Sequence, residues 1–333
     1  MTQIVATTPG LYPLPEWAKD ELADLKGHQK EDLVSGDEGE DVQAAYGRAR
    51  EDVLDQQQSA GLDRVVEGQL RWDDVLAHPL VVADTVETGG IVRYYDNNNF
   101  YRDPIVTGPL AATGDVAAEL TAASDHLNGE APLQAVLPGP YSLADLATDE
   151  HYGDEAAFLN AVTEFLVDEI ARFPAVETLF LLEPSLAANP PGDGADERAS
   201  KAVDAVADAT DADVVVHPYW DALEEKVYAH LMDAGVDAIG FDLVSNPDRN
   251  VYLAGEYGTK DDVALGLVDG QNTLVESPGT IRERVEWFTE QSGEGFGTVY
   301  ATANTELFYL PVNKFEAKLA ALADAADIEE VTA

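Results

Sequence analysis

The sequence predicts an α/β protein with the architecture of a (β/α)8 TIM barrel. Eight short apolar segments recur along the 333 residues, and amphipathic helical segments separate most of them. Nearly continuous apolar segments are typical of parallel strands that are buried on both faces. The alternative is an open doubly wound sheet. That fold would need a glycine-rich phosphate-binding loop after its first strand, and Thr7-Thr8-Pro9-Gly10 does not provide one.

The predicted elements alternate along the chain in the order that a barrel requires. The eight strand segments are IVAT (4–7), RVVEGQL (64–70), LQAVLPG (133–139), TLFLLEP (178–184), DVVVHPY (213–219), AIGFDL (238–243), VALGLVDG (263–270) and TVYATAN (298–304). Apolar residues spaced three or four positions apart predict helices over 155–173, 199–210, 221–235, 280–293 and 313–326.

The whole chain, 1–333, is predicted to be a single domain with two additions to the barrel. The segment 28–58 is acidic and helical, and we interpret it as an N-terminal helical extension before strand two. The segment 85–130 is a predicted insertion loop after strand two. Within it, RYYDNNNFYRDP (93–104) combines four aromatic residues with two arginines. It is either a self-packed surface loop or a lid that stacks on a flat ligand or binds a carboxylate.

The charge of the chain is extreme, because 19 Lys and Arg residues against 64 Asp and Glu residues give a formal net charge of −45. The acidic residues are spread over the full length among apolar segments, so we expect an acidic surface on a folded protein. Such a surface repels itself unless salt screens it, and at about 1 M salt the Debye length falls to roughly 3 Å. The composition therefore predicts a halophilic protein. Since no basic patch exists, neither nucleic acid nor a membrane surface is an expected partner.

Cysteine is absent from the sequence. Its absence excludes disulfides, a thiolate nucleophile and thiolate metal sites. The N-terminal segment MTQIVATTPG has no basic region followed by a long apolar stretch. No segment approaches the roughly 18 apolar residues that a membrane span needs. These features predict a soluble, cytoplasmic protein.

Polar side chains follow nearly every predicted strand, at the end where the active site of a TIM barrel lies. They are Glu67, Gln69, Arg71, Asp73, Tyr141, Glu183, His217, Tyr219, Asp242, Asn304 and Glu306. Each has a structural interpretation on its own, as a hydrogen-bonded histidine, a loop boundary or a helix cap. Polar groups without partners are costly in a core, so their recurrence at one rim predicts a polar cleft that binds a small molecule.

The order of these segments resembles the catalytic barrel of the cobalamin-independent methionine synthase family. The resemblance covers essentially residues 3–325 and matches a single barrel, as in the short archaeal forms. The segments that carry it are TTPGLYP, GLDRVVEGQLRWDD, DPIVTGPL, LPGPYSLADLA, LFLLEPSL, VVVHPYWDAL, GVDAIGFDL, VALGLVDGQNTLVESPGTIRERV and NTELFYLPVNKFEAKLAAL. The resemblance implies methyl transfer from a folate or corrinoid donor to homocysteine. It also implies a zinc ion, held by His, Glu and two Cys, that activates the thiol.

The sequence departs from this family at the positions that hold zinc. The His-x-Cys motif is His217-Pro218-Tyr219, and the position of the zinc-binding glutamate falls near Asp242. The motif with the final cysteine aligns with Asn304-Thr305-Glu306-Leu307. Only His217 remains of the expected ligands. Zinc, which the family implies, therefore lacks its cysteine ligands, and no cofactor is assigned from the sequence.

The resemblance also implies functional roles for matching residues. The substrate-binding Gly-Glu of the family is Gly68-Gln69, and its Asp-Glu-Pro-Ala motif retains Glu183 but has Leu182 in place of the aspartate. We therefore predict catalytic roles for His217, Glu183 and Asp242. The predicted substrate-binding residues are Gln69, Arg71, Asp73, Tyr141, Tyr219, Asn304 and Glu306.

Three functions are compatible with these observations. The first is methyl transfer to homocysteine in methionine biosynthesis, at a modified site that uses another metal, a metal supplied by a partner, or a base such as His217. The second is a non-catalytic companion barrel that binds the methyl donor or partners a catalytic homologue, as the degenerate barrel does in two-barrel members of the family. The third is another small-molecule function, since this fold supports many. We favour the methionine synthase family and its pathway, with the companion barrel as the alternative.

Overall fold

A computed structural model describes residues 2–22, 39–72, 76–93, 95, 100–293 and 295–327. In chain order its strands are β1 (Gln3–Ala6), β2 (Val65–Val66), β3 (Val86–Arg93), β4 (Phe100–Val106), β5 (Leu133–Pro138), β6 (Thr148–Asp149), β7 (Thr178–Leu182), β8 (Asp213–His217), β9 (Ala238–Asp242), β10 (Asp262–Val268) and β11 (Thr298–Ala303). The eight predicted strands correspond to β1, β2, β5 and β7–β11. They form one sheet in the order β1-β11-β10-β9-β8-β7-β5-β2, and every pairing in it is parallel.

The eight-stranded sheet curls until its two edge strands meet. The backbone N–H of Asp63 donates a hydrogen bond to the carbonyl of Ala6 over 3.0 Å, and the N–H of Ala6 donates to Oδ2 of Asp63 over 2.7 Å. Thr7, directly after β1, donates its hydroxyl to Oε1 of Gln134 in β5 over 2.8 Å, although β1 and β5 are far apart in the sheet order. The architecture is therefore TIM-barrel-like, as the apolar strand segments predict.

Helices connect the strands and cover the outside of the sheet. They are α1 (Glu16–Glu21), α2 (Glu40–Ala60), α3 (His78–Val81), α4 (Asp115–Leu127), α5 (Pro140–Asp145), α6 (Glu155–Ile170), α7 (Pro184–Ala188), α8 (Ala195–Ala207), α9 (Glu225–Met232), α10 (Pro247–Tyr257), α11 (Pro278–Ser292) and α12 (Val312–Asp327). All five predicted helices are present. Two of them begin at side-chain caps: Asp154 accepts a hydrogen bond from the N–H of Ala157, and Ser277 accepts one from the N–H of Thr280.

Two predicted segments lie outside the main sheet. The segment 85–130, predicted as an insertion loop, contains an antiparallel hairpin of β3 and β4, and α4. The hairpin is bulged between Thr88 and Ile91, and β4 also pairs with β6. In the acidic segment 28–58, the helix α2 begins at residue 40, and residues 28–38 lie outside the described ranges.

The core has one layer inside the curled sheet and another between the sheet and its helices. Inside, the rings of Phe180 and Tyr300 meet edge to face with centroids 6.2 Å apart. Outside, Phe241 of β9 packs against Phe288 of α11 with centroids 5.0 Å apart. All four rings are buried. Among the helices that the structure describes, none has the length and apolar character required to cross a membrane.

Candidate active site

Three adjacent parallel strands carry Glu183, His217 and Asp242 to the same end of the sheet. These residues end or follow β7, β8 and β9, which are neighbours, and Leu182 is in register with His217. The N–H of Glu183 donates to the carbonyl of His217 over 3.2 Å. All three residues are fully buried, with 0% of their surface exposed. The three predicted catalytic residues therefore lie together at the carboxyl ends of the strands, and we call this end the mouth.

His217 is a neutral, buried imidazole. Neither ring nitrogen makes a hydrogen bond of normal geometry to any residue that the structure describes. Burial lowers the pKa of His217, while the Asp242 carboxylate and the backbone of Ala303 and Asn304 oppose this shift. A neutral imidazole has one N–H donor and one acceptor nitrogen, so the ring is able to bind a polar ligand group at either nitrogen.

The carboxylate of Asp242 is held by N–H groups from the surrounding loops. Oδ1 accepts hydrogen bonds from the N–H of Val244 over 2.9 Å and of Ser245 over 2.8 Å. Oδ2 accepts one from the N–H of Trp220 over 3.1 Å, and Nδ2 of Asn304 lies 3.2 Å from both oxygens. Trp220 has a φ of +74°, which is rare for a bulky residue. Asp242 therefore stabilises an unusual turn directly after His217.

The segment after β11 contributes two further predicted residues to the mouth. Asn304 and Glu306 are 3% and 2% exposed. Besides contacting Asp242, Asn304 accepts a hydrogen bond at Oδ1 from the N–H of Gly270 over 3.0 Å. A Cβ atom at position 270 would lie only 2.4 Å from the carbonyl oxygen of Glu306. Asn304 therefore joins the loops that follow β9, β10 and β11, and its predicted contact with substrate stays a prediction.

Glu183 binds the start of α5. Its Oε1 accepts a hydrogen bond from the N–H of Tyr141 over 2.9 Å, and its Oε2 accepts bonds from the N–H and hydroxyl of Ser142 over 2.7 and 2.6 Å. Burial raises the pKa of Glu183 to about 7, although these donors oppose the shift. The phenol of Tyr141 donates to the carbonyl of Asn189 over 2.9 Å. Both predicted residues therefore have structural partners, and a catalytic role for Glu183 stays a prediction.

Gln69 joins the first two loops of the mouth. Its backbone has a φ of +50°, and its Oε1 accepts a hydrogen bond from the N–H of Leu11 over 2.7 Å. A Cβ atom at position 10 would lie 2.2 Å from this oxygen, so Gly10 provides the space that the amide occupies. Asp73, another predicted substrate-binding residue, lies outside the described ranges.

Arg71 belongs to a partly buried charged cluster between α2, α4 and the sheet. It forms ion pairs with Asp115 and Glu119 of α4 over 3.2 and 3.0 Å, and Glu119 also pairs with Arg50 of α2. Glu67, 1% exposed, lies beside this cluster, and its Oε1 has no hydrogen-bond partner in the described part of the chain. Burial, together with the charge of Glu119, raises the pKa of Glu67 to about 8. Glu67 is one of the polar residues predicted at the strand ends, but the sequence assigned it neither a catalytic nor a substrate-binding role.

Aromatic rings close the mouth above His217. The ring centroids of Tyr95 and Trp220 are 5.0 Å apart, those of Trp220 and Tyr219 are 4.8 Å apart, and those of Tyr219 and His217 are 5.9 Å apart. The phenol of Tyr95 also shares a hydrogen bond with the hydroxyl of Ser185. Tyr95 belongs to the predicted lid segment, of which residues 94 and 96–99 lie outside the described ranges. Tyr95 therefore connects the predicted lid segment to the aromatic residues beside His217.

The residues at the mouth do not fit a zinc site. The residues described by the structure contain no group of three or more His, Cys, Asp or Glu side chains that could hold a metal ion. In the alignment that the resemblance implies, Tyr219 takes the place of a cysteine ligand, and a phenol beside a histidine does not replace a thiolate. Both oxygens of Asp242 already accept hydrogen bonds from N–H groups. No chemical step through zinc follows from this donor set.

Comparison with known proteins identifies the family. The family model described as "Cobalamin-independent synthase, N-terminal domain" matches residues 83–291, which is more than half of the chain. The chain belongs to the cobalamin-independent methionine synthase family. The match covers β7–β10, which carry Glu183, His217 and Asp242, and it also covers the hairpin that carries Tyr95.

Curated proteins named methionine synthase are similar to this chain along most of their length. A protein named methionine synthase from Saccharolobus islandicus is 23% identical over 294 residues, which are 86% of this chain and 84% of the relative. The methionine synthase of Sulfolobus acidocaldarius is 20% identical over 288 residues, covering 85% of this chain and 80% of the relative. The similarity therefore extends over at least four fifths of both relatives.

Solved structures of the family share the fold. A B12-independent methionine synthase from Shewanella sp. W3-18-1, in complex with selenomethionine, superposes with a TM-score of 0.78 over 97% of this chain and 96% of that one, at 19% identity. A structure from Listeria monocytogenes, described as a putative vitamin-B12-independent methionine synthase, gives a TM-score of 0.73 at 16% identity over 98% of both chains. At these identities the similarity establishes the TIM-barrel-like fold of the cobalamin-independent methionine synthases and no more.

Proposed function

We propose that this chain serves the methyl transfer that makes methionine from homocysteine, and that it contributes a substrate-binding barrel without a thiol-activating metal of its own. One observation carries the proposal: at the mouth, a neutral His217 is combined with a carboxylate, Asp242, whose two oxygens are saturated by N–H donors. Such a site provides hydrogen bonds and apolar contacts, which bind a small molecule. It does not provide the anionic ligands that activate a thiol through zinc.

The residue types at the mouth support a ligand with a polar end and an apolar or flat part. The rings of Tyr95, Trp220, Tyr219 and His217 form a continuous series of aromatic contacts, in which His217 is the titratable group. Glu183, with a pKa of about 7, adds a carboxyl that exists in both protonation states near neutral pH. Homocysteine and a methyl-carrying folate both combine charged and apolar parts, so both are candidate ligands for this mouth.

The family match favours a companion role beside a second chain. The family model that matches this chain represents the N-terminal domain of the cobalamin-independent synthases. In two-barrel members of the family, one barrel is catalytic and the other is degenerate and helps to bind the folate donor. A chain that lacks the zinc ligands resembles the degenerate barrel in this respect. We therefore propose that a cysteine-bearing homologue supplies the metal and that this chain supplies binding surface for the methyl donor or for homocysteine.

The second candidate function is complete turnover by this chain alone. It is favoured by length, because the similarity to single-chain archaeal proteins named methionine synthase covers 86% of this chain and 84% of the relative. In that case the neutral His217 would be the base that removes the thiol proton. The thiol has an ordinary pKa of about 8.5 and is mostly protonated near pH 7. A buried imidazole with a lowered pKa is a weak base for that proton, so this candidate ranks second.

The deciding experiment measures binding and methyl transfer separately. Purified protein in molar KCl is titrated with homocysteine and with methyl-folate by calorimetry, and methionine formation is assayed for the chain alone and mixed with a cysteine-bearing homologue. We expect binding of at least one ligand, no methionine from the chain alone, and faster methionine formation in the mixture than with the homologue alone. Methionine formed by the chain alone would establish the second candidate. Binding of neither ligand, with no effect in the mixture, would exclude both.

A further inference from the structure

A buried ion pair lies between α12 and the loop 269–277, which follows β10. The Nζ of Lys318 lies 2.7 Å from Oε2 of Glu276, and these residues are 0% and 9% exposed. Lys318 also donates a hydrogen bond to the carbonyl of Leu274. The other carboxylate oxygen of Glu276 accepts one from the N–H of Asp269 over 3.0 Å. The ion pair therefore binds both the beginning and the end of this loop to α12.

The same loop contacts the mouth through Gly270. Its N–H donates to Oδ1 of Asn304 over 3.0 Å, and Nδ2 of Asn304 lies 3.2 Å from both oxygens of Asp242. Because a Cβ atom at position 270 would lie 2.4 Å from the carbonyl oxygen of Glu306, the loop backbone is closely packed against the segment after β11. Asp242 in turn accepts the N–H of Trp220. A continuous series of polar contacts therefore connects the ion pair on the outside of the sheet to the turn beside His217.

We propose that Lys318 and Glu276 are positioning residues for the mouth. They hold the loop 269–277 in one place, and through Gly270 and Asn304 they fix the direction of the Asp242 carboxylate and of the turn that it stabilises. The effect on ligand affinity rests on the proposed function, whereas the effect on the geometry of the mouth does not.

A contribution to the stability of the fold does not by itself explain why these two charged side chains are buried. Removing two charges from water is costly, and apolar side chains of similar size are often neutral or stabilising replacements for a buried pair. The ion pair instead orients the loop 269–277. Lys318 donates hydrogen bonds to two acceptors, and Glu276 accepts them from both Lys318 and the N–H of Asp269. Apolar side chains would fill the space without orienting the loop. An apolar replacement therefore separates a structural role from a positioning role.

The test is the double variant Glu276→Leu/Lys318→Met in molar KCl. Three quantities are measured: the Tm, the hydrogen–deuterium exchange of peptides spanning 216–222 and 266–274, and the affinity for homocysteine. The matched control is Glu197→Leu/Lys201→Met, which removes an ion pair of the same 2.7 Å length from the exposed surface of α8. Glu276→Gln, which keeps the size of the side chain, provides a second variant if the double variant does not fold.

We expect the double variant to keep the Tm of the control and to exchange the amides of both peptides about tenfold faster, since local opening is separable from global stability. Homocysteine affinity should fall by about the same factor, because an unfixed mouth must be ordered on binding. Unchanged exchange in 216–222 would overturn the proposal, as would a lower Tm with uniformly faster exchange throughout α12 and β10. If the unmodified protein binds no homocysteine, the proposed function fails, and the exchange data still decide the positioning role.

Discussion

Gly240 of β9 provides the space in which the imidazole of His217 lies: a Cβ atom at position 240 would be 2.1 Å from Nδ1 of His217 and 3.0 Å from its Cα. The two residues lie near the ends of adjacent parallel strands, β8 and β9. Side chains on neighbouring strands normally divide the space between the strands. Here the imidazole of His217 occupies it alone, because Gly240 has no side chain. The orientation of the candidate ligand-binding histidine therefore depends on the absence of a side chain on the neighbouring strand.

We predict that Gly240→Ala displaces the His217 ring and destabilises the protein by about 1–3 kcal/mol, the usual cost of adding a methyl group to a packed interior. Binding of homocysteine or methyl-folate should be lost in the same variant. Chemical denaturation and calorimetric titration provide the two measurements. The matched control is Gly255→Ala in α10, where the new Cβ atom would meet only the carbonyl of Gln291 at 3.6 Å. There the change should stabilise the helix by up to about 1 kcal/mol. Equal effects at both positions would contradict this account.

A second prediction concerns the unused hydrogen-bonding groups of His217. Its ring nitrogens make no hydrogen bond of normal geometry within the described structure, so His217→Leu removes two polar atoms from the interior at little cost in hydrogen bonds. The free energy of unfolding should stay the same or rise by about 1–2 kcal/mol, while ligand binding falls at least tenfold. Thermal unfolding and calorimetric titration of the same sample provide the comparison.

His78→Leu is the control for this prediction. His78 is equally buried, at 1% exposure, but its Nε2 is hydrogen-bonded to Oδ2 of Asp115 over 3.0 Å. Removing that partner should lower the free energy of unfolding by about 1–3 kcal/mol. A loss of stability at His217 as large as that at His78, with ligand binding intact, would make His217 a structural residue.

The strands could be predicted well because a strand that is buried on both faces is a nearly continuous apolar segment in the sequence. The positions of Glu183, His217 and Asp242 followed from this, since the carboxyl ends of adjacent parallel strands must lie side by side. Helix ends were less predictable. The helix predicted over 221–235 begins only at Glu225, after Asp221 accepts hydrogen bonds from the N–H of Ala222 and the side chain of Asn246. Such local competition is invisible in a periodic apolar pattern.

The directions of individual polar side chains were beyond prediction. Gln69 and Trp220 have positive φ angles that no local sequence rule indicates for glutamine or tryptophan. Arg71 contacts Asp115 and Glu119 in a helix that folds back from the insertion, so its partners are distant in the sequence. The ion pair of Lys318 likewise depends on how α12 packs. In each case the tertiary fold, and not the residue type, selects the partner.

Glu67 provides a prediction about pH. Burial raises its pKa from 4.5 to about 8 in the folded protein. The folded state therefore holds a proton that the unfolded state has lost between these two values, and stability decreases as pH rises through this window. Between pH 6 and pH 9 this residue should account for a loss of about 2–3 kcal/mol. Glu183, with a pKa of about 7, changes stability in the same direction over a narrower window.

Glu67→Gln isolates this contribution, because glutamine has nearly the same size and no charge at either pH. Denaturant unfolding at pH 6 and pH 9, at constant molar KCl, should show a smaller loss of stability in the variant than in the unmodified protein. At pH 9 the variant should be the more stable of the two. If both proteins lose the same free energy of unfolding between these pH values, then Glu67 does not hold a proton in the folded state.

The net charge of −45 predicts a strong dependence of stability on salt. With only 19 basic residues, most surface carboxylates have other carboxylates as neighbours, and their repulsion is screened as the Debye length falls from about 10 Å at 0.1 M salt to about 3 Å at 1 M. The Tm should therefore rise by several degrees between these concentrations of KCl.

Replacing the exposed Glu130, Glu164 and Glu290 by glutamine should reduce this rise, since less repulsion remains to be screened. An uncharged osmolyte stabilises folded proteins without screening, so it should raise the Tm of both proteins equally. A Tm that is the same at low and high KCl would mean that repulsion between the surface carboxylates does not limit the stability of the fold.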